Sequence, residues 1–515
     1  MNTTPASRRV NVVIFLADDL GWGDLGCFGS TRIPTPQIDA IARRGVKFSD
    51  CHASSAVCTP SRYSLLTGLY PWRSPLQSGV LGGTDPCILS DDHATLPKTL
   101  RQSGYATGAF GKWHLGMDWT TLSGECPTAF SDTPFLPHLQ ASGREIDYEL
   151  PITRGPLTSG FDRFFGIAGS LDMPPYCFIE QDRTRGIPDR EKSPLVTSQR
   201  PGLEVEGWRD DEVDTQIVRA ARAWIRLRAE EHEPFFAYVA SAAPHRPCVP
   251  PDFVKGRSQA GPRGDSVCLV DWMVGEIVDE LDRAGILENT LLVFTSDNGA
   301  PTMFAEDGDV EHHRPNGPWR GQKADAWEGG HRVPLILCGP QVPDGGTTLA
   351  DPVSLIDLFP TVLDLVGLAE GQEPGGTPIH HGPSGVDGKS FSALLTKSGT
   401  EAGVNHSERV FGQNAFDGSL VLRRGGNKAI FSTGSGGFSD PVGNPLRYTG
   451  KTLEGGQFYD LCRDPAETDN LWNSSAALID QMYGEFCQIT GFDHVPFSGK
   501  PTPAPVKGPQ TGAEL

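Results

Sequence analysis

The stretch Asn11-Val12-Val13-Ile14-Phe15-Leu16-Ala17 is a short apolar run, rich in β-branched residues, that stops at Asp18-Asp19. It is too short to cross a bilayer, which takes ~18 apolar residues. Bounded by polar groups, it reads as a buried strand. Val333 to Cys338 reads the same way. Between and around these runs, strands and helices alternate. Thr35 to Arg44 is a helix, with Pro36 after the opening threonine and Gly45 as the stop. Val46 to Cys51 is a strand, about Ser61 to Thr67 a helix ended by Gly68, Leu96 to Ser103 a helix, and Ala106 to Phe110 a strand. Val213 to Glu231 is an amphipathic helix, Phe235 to Ala240 a strand, Val267 to Ala284 a long helix, Thr290 to Thr295 a strand and Ser354 to Leu365 a helix. Such alternation predicts an α/β fold, a large sheet sandwiched by helices. Reactive groups in these sheets gather at the carboxyl ends of strands.

Residues 120–210 are rich in Pro, Gly and polar residues and read as long ordered loops. The pattern changes near residue 400. Short strand-like pieces at Arg409–Phe411, Ser419–Arg423, Lys428–Ser432 and Gln457–Tyr459, then a helix near Ala476–Ile489, predict a smaller C-terminal α+β subdomain. The expected division is 1–400 for the main α/β domain, 401–495 for the subdomain, with a small antiparallel sheet and helix, and 496–515 for a flexible Pro- and Gly-rich tail.

The formal net charge is −20, which excludes general nucleic-acid binding, because a phosphate backbone needs a positive face. No apolar run is long enough for a membrane span. The first residues carry no signal-peptide pattern, so the expected location is cytoplasmic as written, or periplasmic or secreted if an export signal was removed. The 11 cysteines show no CxxC spacing and read as free thiols, mostly buried, with Cys58 the exception.

Asp18-Asp19 alone would be a solvated turn. A second oxygen-bearing pair, Asp297-Asn298, follows the Thr290–Thr295 strand. Two strand ends of this kind can surround a hard cation, Ca²⁺ first and Mg²⁺ second. The third element is Cys58-Thr59-Pro60-Ser61-Arg62, with Cys58 just ahead of a helix. A helix start lowers a thiol pKa and attracts anions. Arg62 lies one helical turn on, at i+4.

Cys58-x-Pro60-Ser61-Arg62 with Leu66-Thr67-Gly68 resembles the signature of the formylglycine-dependent type I sulfatases, arylsulfatase-like members of the alkaline phosphatase superfamily. Gly111-Lys112-Trp113-His114-Leu115-Gly116, Ala17-Asp18-Asp19, Asp297-Asn298-Gly299 and Pro244-His245 fit further blocks. So do Gly321-Gln322-Lys323 with Trp327-Glu328-Gly329-Gly330, and the closing Phe458-Tyr459-Asp460-Leu461 with Glu467. The blocks run in the family's order from residue 11 to 471.

The resemblance implies an alkaline-phosphatase-like fold and a sulfuric ester hydrolase. Cys58 would be oxidised to formylglycine (3-oxoalanine) by a generating enzyme. One hydroxyl of its hydrate would attack sulfur, and the second would expel sulfate; a thiol or serine lacks that second oxygen. Asp18, Asp19, Asp297, Asn298 and the modified Cys58 would hold the metal. Arg62 would steady the hydrate or a metal ligand, and Lys112 and Lys323 would neutralise sulfate oxygens. His114 would be the base, and His245 the acid for the leaving oxygen, helped by Lys323. Ser170 sits where relatives contact substrate. The expected substrate is a carbohydrate or aryl sulfate ester. Two other readings stay open at this point: a phosphodiester or phosphonate monoester hydrolase with the same metal and nucleophile, and a non-catalytic binder of sulfated glycans, should Cys58 stay a thiol. His312 and His313 read as a polar loop, which could still reach substrate because it sits between two active-site blocks.

Overall fold

A computed structural model of the chain describes residues 9–124, 142–304, 312–368, 385–395, 407–446 and 455–491. The expected tail at 496–515 lies outside them. The central sheet has 11 strands and is mixed. Strand Asn11–Ala17 lies in its middle, parallel to Thr290–Ser296 on one side and to Phe235–Ala240 on the other. Ala106–Lys112 and Arg163–Ile167 continue the parallel run. Beyond Thr290–Ser296, Arg332–Cys338 is antiparallel and Val46–His52 reverses again.

Every residue of the first strand is buried, so its two faces feed two cores. Val12, Ile14 and Leu16 point into one core; Val13, Phe15 and Ala17 point into the other. Helices Pro36–Arg44, Val213–Glu231 and Gly261–Arg283 cover the second. Helices Cys58–Thr67, Leu96–Gln102 and Leu358–Leu365 cover the first. The fold is therefore the predicted α/β sandwich.

Three local expectations change. The helix expected from about Ser61 begins at Cys58, because Pro60 sits in the first turn, where a missing N–H costs nothing. The long helix begins at Gly261 rather than Val267, again with proline in its first turn. Arg163–Ile167, inside the expected loops, is a strand that completes the parallel run. No helix among the described residues is long and apolar enough to cross a membrane. The described cysteines are all free.

Strands Val410–Asn414, Leu420–Arg424, Asn427–Ile430 and Gln457–Asp460 form an antiparallel meander. Helix Ala476–Thr490 packs Ile479, Met482 and Phe486 against it, and Tyr70 and Trp72 join this core from the first part of the chain. A buried ion network ties the meander to the main sheet. Glu328 accepts from Arg423 at 3.0 Å, Lys428 at 3.1 Å and Arg332 at 2.8 Å. Lys428 also meets Glu467 at 2.7 Å and is fully buried. Lys428→Met is expected to destabilise the protein by about 3–5 kcal/mol, because it strips a buried carboxylate of its cation. Urea unfolding checks this.

Candidate active site

The topology carries the chemistry to one edge of the sheet. Ala17 and Ser296 are register partners, so Asp18-Asp19 and Asp297-Asn298 emerge side by side. Lys112 ends the Ala106–Lys112 strand, and His245 follows the Phe235–Ala240 strand. Val46–His52 points the same way and is followed by Cys58. The antiparallel Arg332–Cys338 begins at this edge, so Lys323 arrives just before it. Gly111 has φ +113°, and a Cβ there would lie 1.7 Å from the Ala240 carbonyl oxygen. Only glycine lets the Lys112 strand run this close to its neighbour.

Asp18, Asp19, Asp297 and Asn298 are all buried. Lys112 Nζ donates to both Asp18 oxygens at 2.8 and 2.7 Å, and Lys323 Nζ meets Asp19 Oδ1 at 2.7 Å. Burial alone would push the Asp18 carboxyl up, but Lys112, His245, Arg62 and Lys323 hold it well below the usual carboxylate range. Asn298 Nδ2 donates to Asp19 Oδ1 at 2.7 Å, while Asn298 Oδ1 is buried with no hydrogen-bond partner among the described residues. Three carboxylates and a bare amide oxygen form an oxygen donor set that fits a hard divalent cation. Asp18, Asp19, Cys58 and His245 each place a ligand atom within 4.8 Å of the others.

Arg62 donates from Nε to Asp297 Oδ2 at 2.9 Å and from Nη1 to the Lys112 carbonyl at 3.0 Å. The structure thus puts it on a carboxylate of the donor set. The Cys58 thiol lies 3.6 Å from Asp18 Oδ1 and 3.4 Å from Lys323 Nζ. Its pKa runs opposite to the helix-start expectation. Burial pushes the thiol well up and outweighs Lys112 and Lys323, which pull it down. As a plain thiol it stays neutral.

His114 Nε2 faces the Leu81 carbonyl at 2.7 Å. A carbonyl only accepts, so Nε2 carries the hydrogen and Nδ1, buried and unpartnered among the described residues, keeps its lone pair. Burial, with Lys112 and Arg62, holds His114 well below its ordinary pKa, so the ring is neutral. His245 Nδ1 meets the Arg246 carbonyl at 2.7 Å, which turns Nε2 toward Asp19 Oδ2 at 3.6 Å.

A cavity of about 180 Å³ opens over Cys58, Asp19, His114, His245 and Lys323. Ser170 is buried with a hydroxyl unpartnered among the described residues, but it is not among the residues lining this cavity. His313 does not line it either. It meets Asp24 Oδ1 at 2.7 Å, and Arg263 meets Asp24 at 2.7 Å and the Asp19 carbonyl at 2.8 Å. This buried group steadies Asp19, whose φ is 63°. The cavity lining adds residues that the motifs do not contain, polar Asp172 and Arg200 and apolar Phe304, Phe416 and Phe438.

A buried oxygen donor set beside Cys58, with two lysines and two histidines close by, fits a hydrolase of anionic esters. The chain belongs to the sulfatase family, whose family model matches residues 10–368. It is 30% identical over 526 residues to the N-acetylgalactosamine-6-O-sulfatase of Bacteroides thetaiotaomicron, covering 92% of each chain. It is 32% identical over 494 residues to arylsulfatase A of Bos taurus, covering 94% of this chain and 86% of that one. A solved sulfatase structure from a study of glycosaminoglycan metabolism by Bacteroides thetaiotaomicron is similar at a TM-score of 0.75 and 28% identity. The match covers 94% of this chain and 100% of that one. The protein is a sulfuric ester hydrolase, and the phosphodiester alternative is not favoured.

Proposed function

We propose that the protein hydrolyses the sulfate ester of a carbohydrate. The observation that carries this is the mixed wall of the cavity: Asp172 and Arg200 offer polar contacts, while Phe304, Phe416 and Phe438 offer apolar faces. A sugar ring has both hydroxyl edges and C–H faces. The named sugar-sulfatase relative supports the same reading.

Asp18, Asp19, Asp297 and Asn298 would hold the cation, Ca²⁺ ahead of Mg²⁺, which supplies Lewis acidity. Cys58 would be matured by a formylglycine-generating enzyme, and the hydrated aldehyde supplies the nucleophile. Cys58 is 1% exposed in the folded chain, so that enzyme would act before folding is complete. Lys112 and Lys323 bring positive charge to the sulfate oxygens. His114 Nδ1 is free to take a proton. His245 Nε2 and Lys323 serve the leaving oxygen.

Hexosamine 6-sulfates should be cleaved with kcat/KM at least about tenfold above cyclohexylmethyl sulfate, a primary alkyl sulfate of similar size without hydroxyls. Equal rates on the two would sink the carbohydrate reading. Lys323→Ala and His245→Ala should each cost ~10²–10³-fold in kcat, the scale for removing one donor to developing charge. The loss should grow as the leaving group worsens from phenol to sugar alkoxide. A loss that is equal across leaving groups would take the acid role from His245.

A further inference from the structure

We infer that Asp172 sets substrate selectivity: its free carboxylate oxygen accepts a hydrogen bond from a hydroxyl of the sulfated sugar. The inference rests on the carbohydrate reading and adds the residue that recognises the sugar.

Asp172 lines the cavity and is only 7% exposed. Arg200 fixes its position from two sides. The Arg200 guanidinium reaches Asp172 Oδ2 at 2.7 Å and the Asp172 carbonyl at 3.2 Å, and the Arg200 backbone N–H donates to that carbonyl at 3.0 Å. The other carboxylate oxygen, Oδ1, is buried with no hydrogen-bond partner among the described residues. A buried, unmatched carboxylate oxygen is costly, and proteins rarely leave one without a use. Asp172 is among the residues lining the cavity that also contains Cys58.

The sign of the charge narrows the ligand. Burial would push the Asp172 carboxyl up, but Arg200 holds it down, with His245, Lys323 and Lys112 adding to the effect. The group stays ionised and is an acceptor only. It needs a donor from the substrate, a hydroxyl or an N–H, and it repels a second sulfate or carboxylate placed at this point. An aryl or alkyl sulfate without hydroxyls leaves Oδ1 unmatched. A site built to bind a hydroxyl discriminates strongly against the analogue that lacks it.

The test uses the matured, metal-loaded enzyme. Its probes are p-nitrophenyl sulfate, a panel of hexose and hexosamine 6-sulfates, and the monodeoxy analogues of the sugar cleaved best. One monodeoxy analogue should lose ~10–100-fold in kcat/KM with the wild type. In Asp172→Ala the parent sugar sulfate should fall by about the same factor, and that analogue should lose little more, closing a double-mutant cycle. The ratio of sugar sulfate to p-nitrophenyl sulfate turnover should drop at least about tenfold. Asp172→Asn, which keeps the shape and an acceptor for Arg200, should lie between. Equal loss on both substrate classes, or a deoxy penalty that survives in Asp172→Ala, would overturn the inference while leaving the carbohydrate reading intact. Cleavage of p-nitrophenyl sulfate with no sugar sulfate cleaved would overturn both. If Asp172→Ala fails to fold by its melting curve, Asp172→Asn carries the same comparison.

Discussion

Cys58→Ala is expected to lose turnover by about 10⁶-fold, the scale seen when a covalent hydrolase loses its nucleophile. It should still fold. Only one buried sulfur atom is removed, from the first turn of a helix whose ten residues are all buried and whose end is capped by Gly68. Cys58→Ser is more informative. Its hydroxyl would occupy the place of the sulfur, within reach of Lys323. It could attack sulfur once, but it has no second oxygen to expel the sulfate. The variant should release at most one equivalent of alcohol and then carry a sulfated serine. Peptide mass spectrometry across residue 58 measures this directly. Sustained turnover by Cys58→Ser would mean that the second hydroxyl of a hydrate is not needed.

Some of this site is legible in the chain itself. Asp18-Asp19 and Asp297-Asn298 each follow an apolar run, so their place at strand ends needs only local patterning. Cys58 and Arg62 share a helix face because they are four residues apart. Their roles came from the resemblance to a family, not from the spacing. Other parts depend on what folding brings together. Arg263 and His313 find Asp24 across 239 and 289 residues, and nothing local marks any of the three. Asp172 and Arg200 sit in a region that reads as loop, and Phe416 and Phe438 come from beyond residue 400. Glu467 lies in the closing motif, but its partner Lys428 carries no signal of burial. The Cys58 thiol shows the same limit: its helix position argues for a low pKa, and its burial, invisible locally, decides the opposite.

Asp297→Asn should separate metal binding from folding. Two groups hydrogen-bond the Asp297 carboxylate among the described residues. Oδ2 accepts from Arg62 Nε at 2.9 Å, and Oδ1 accepts from the Asp19 backbone N–H at 3.2 Å. Asp297→Ala would leave the fully buried Arg62 without that carboxylate, which costs about 3–5 kcal/mol and confuses stability with activity. Asparagine keeps an oxygen for Arg62 and removes one negative charge from the donor set. Cation affinity should then fall by more than the 10–100-fold that lost partners of metal ligands cost. At cation levels that saturate the wild type, activity should be largely lost, and added Ca²⁺ should restore part of it. The melting curve supplies a second readout. A cation that binds only the folded chain stabilises it by about 2.7 kcal/mol at 100 times its Kd. Chelation should therefore lower the wild-type Tm and silence the enzyme, whereas the Asp297→Asn Tm should barely respond. Full turnover by verified metal-free wild type would remove the cation from the mechanism. A variant whose activity and Tm respond to chelation as the wild type does would remove Asp297 from the ligand set.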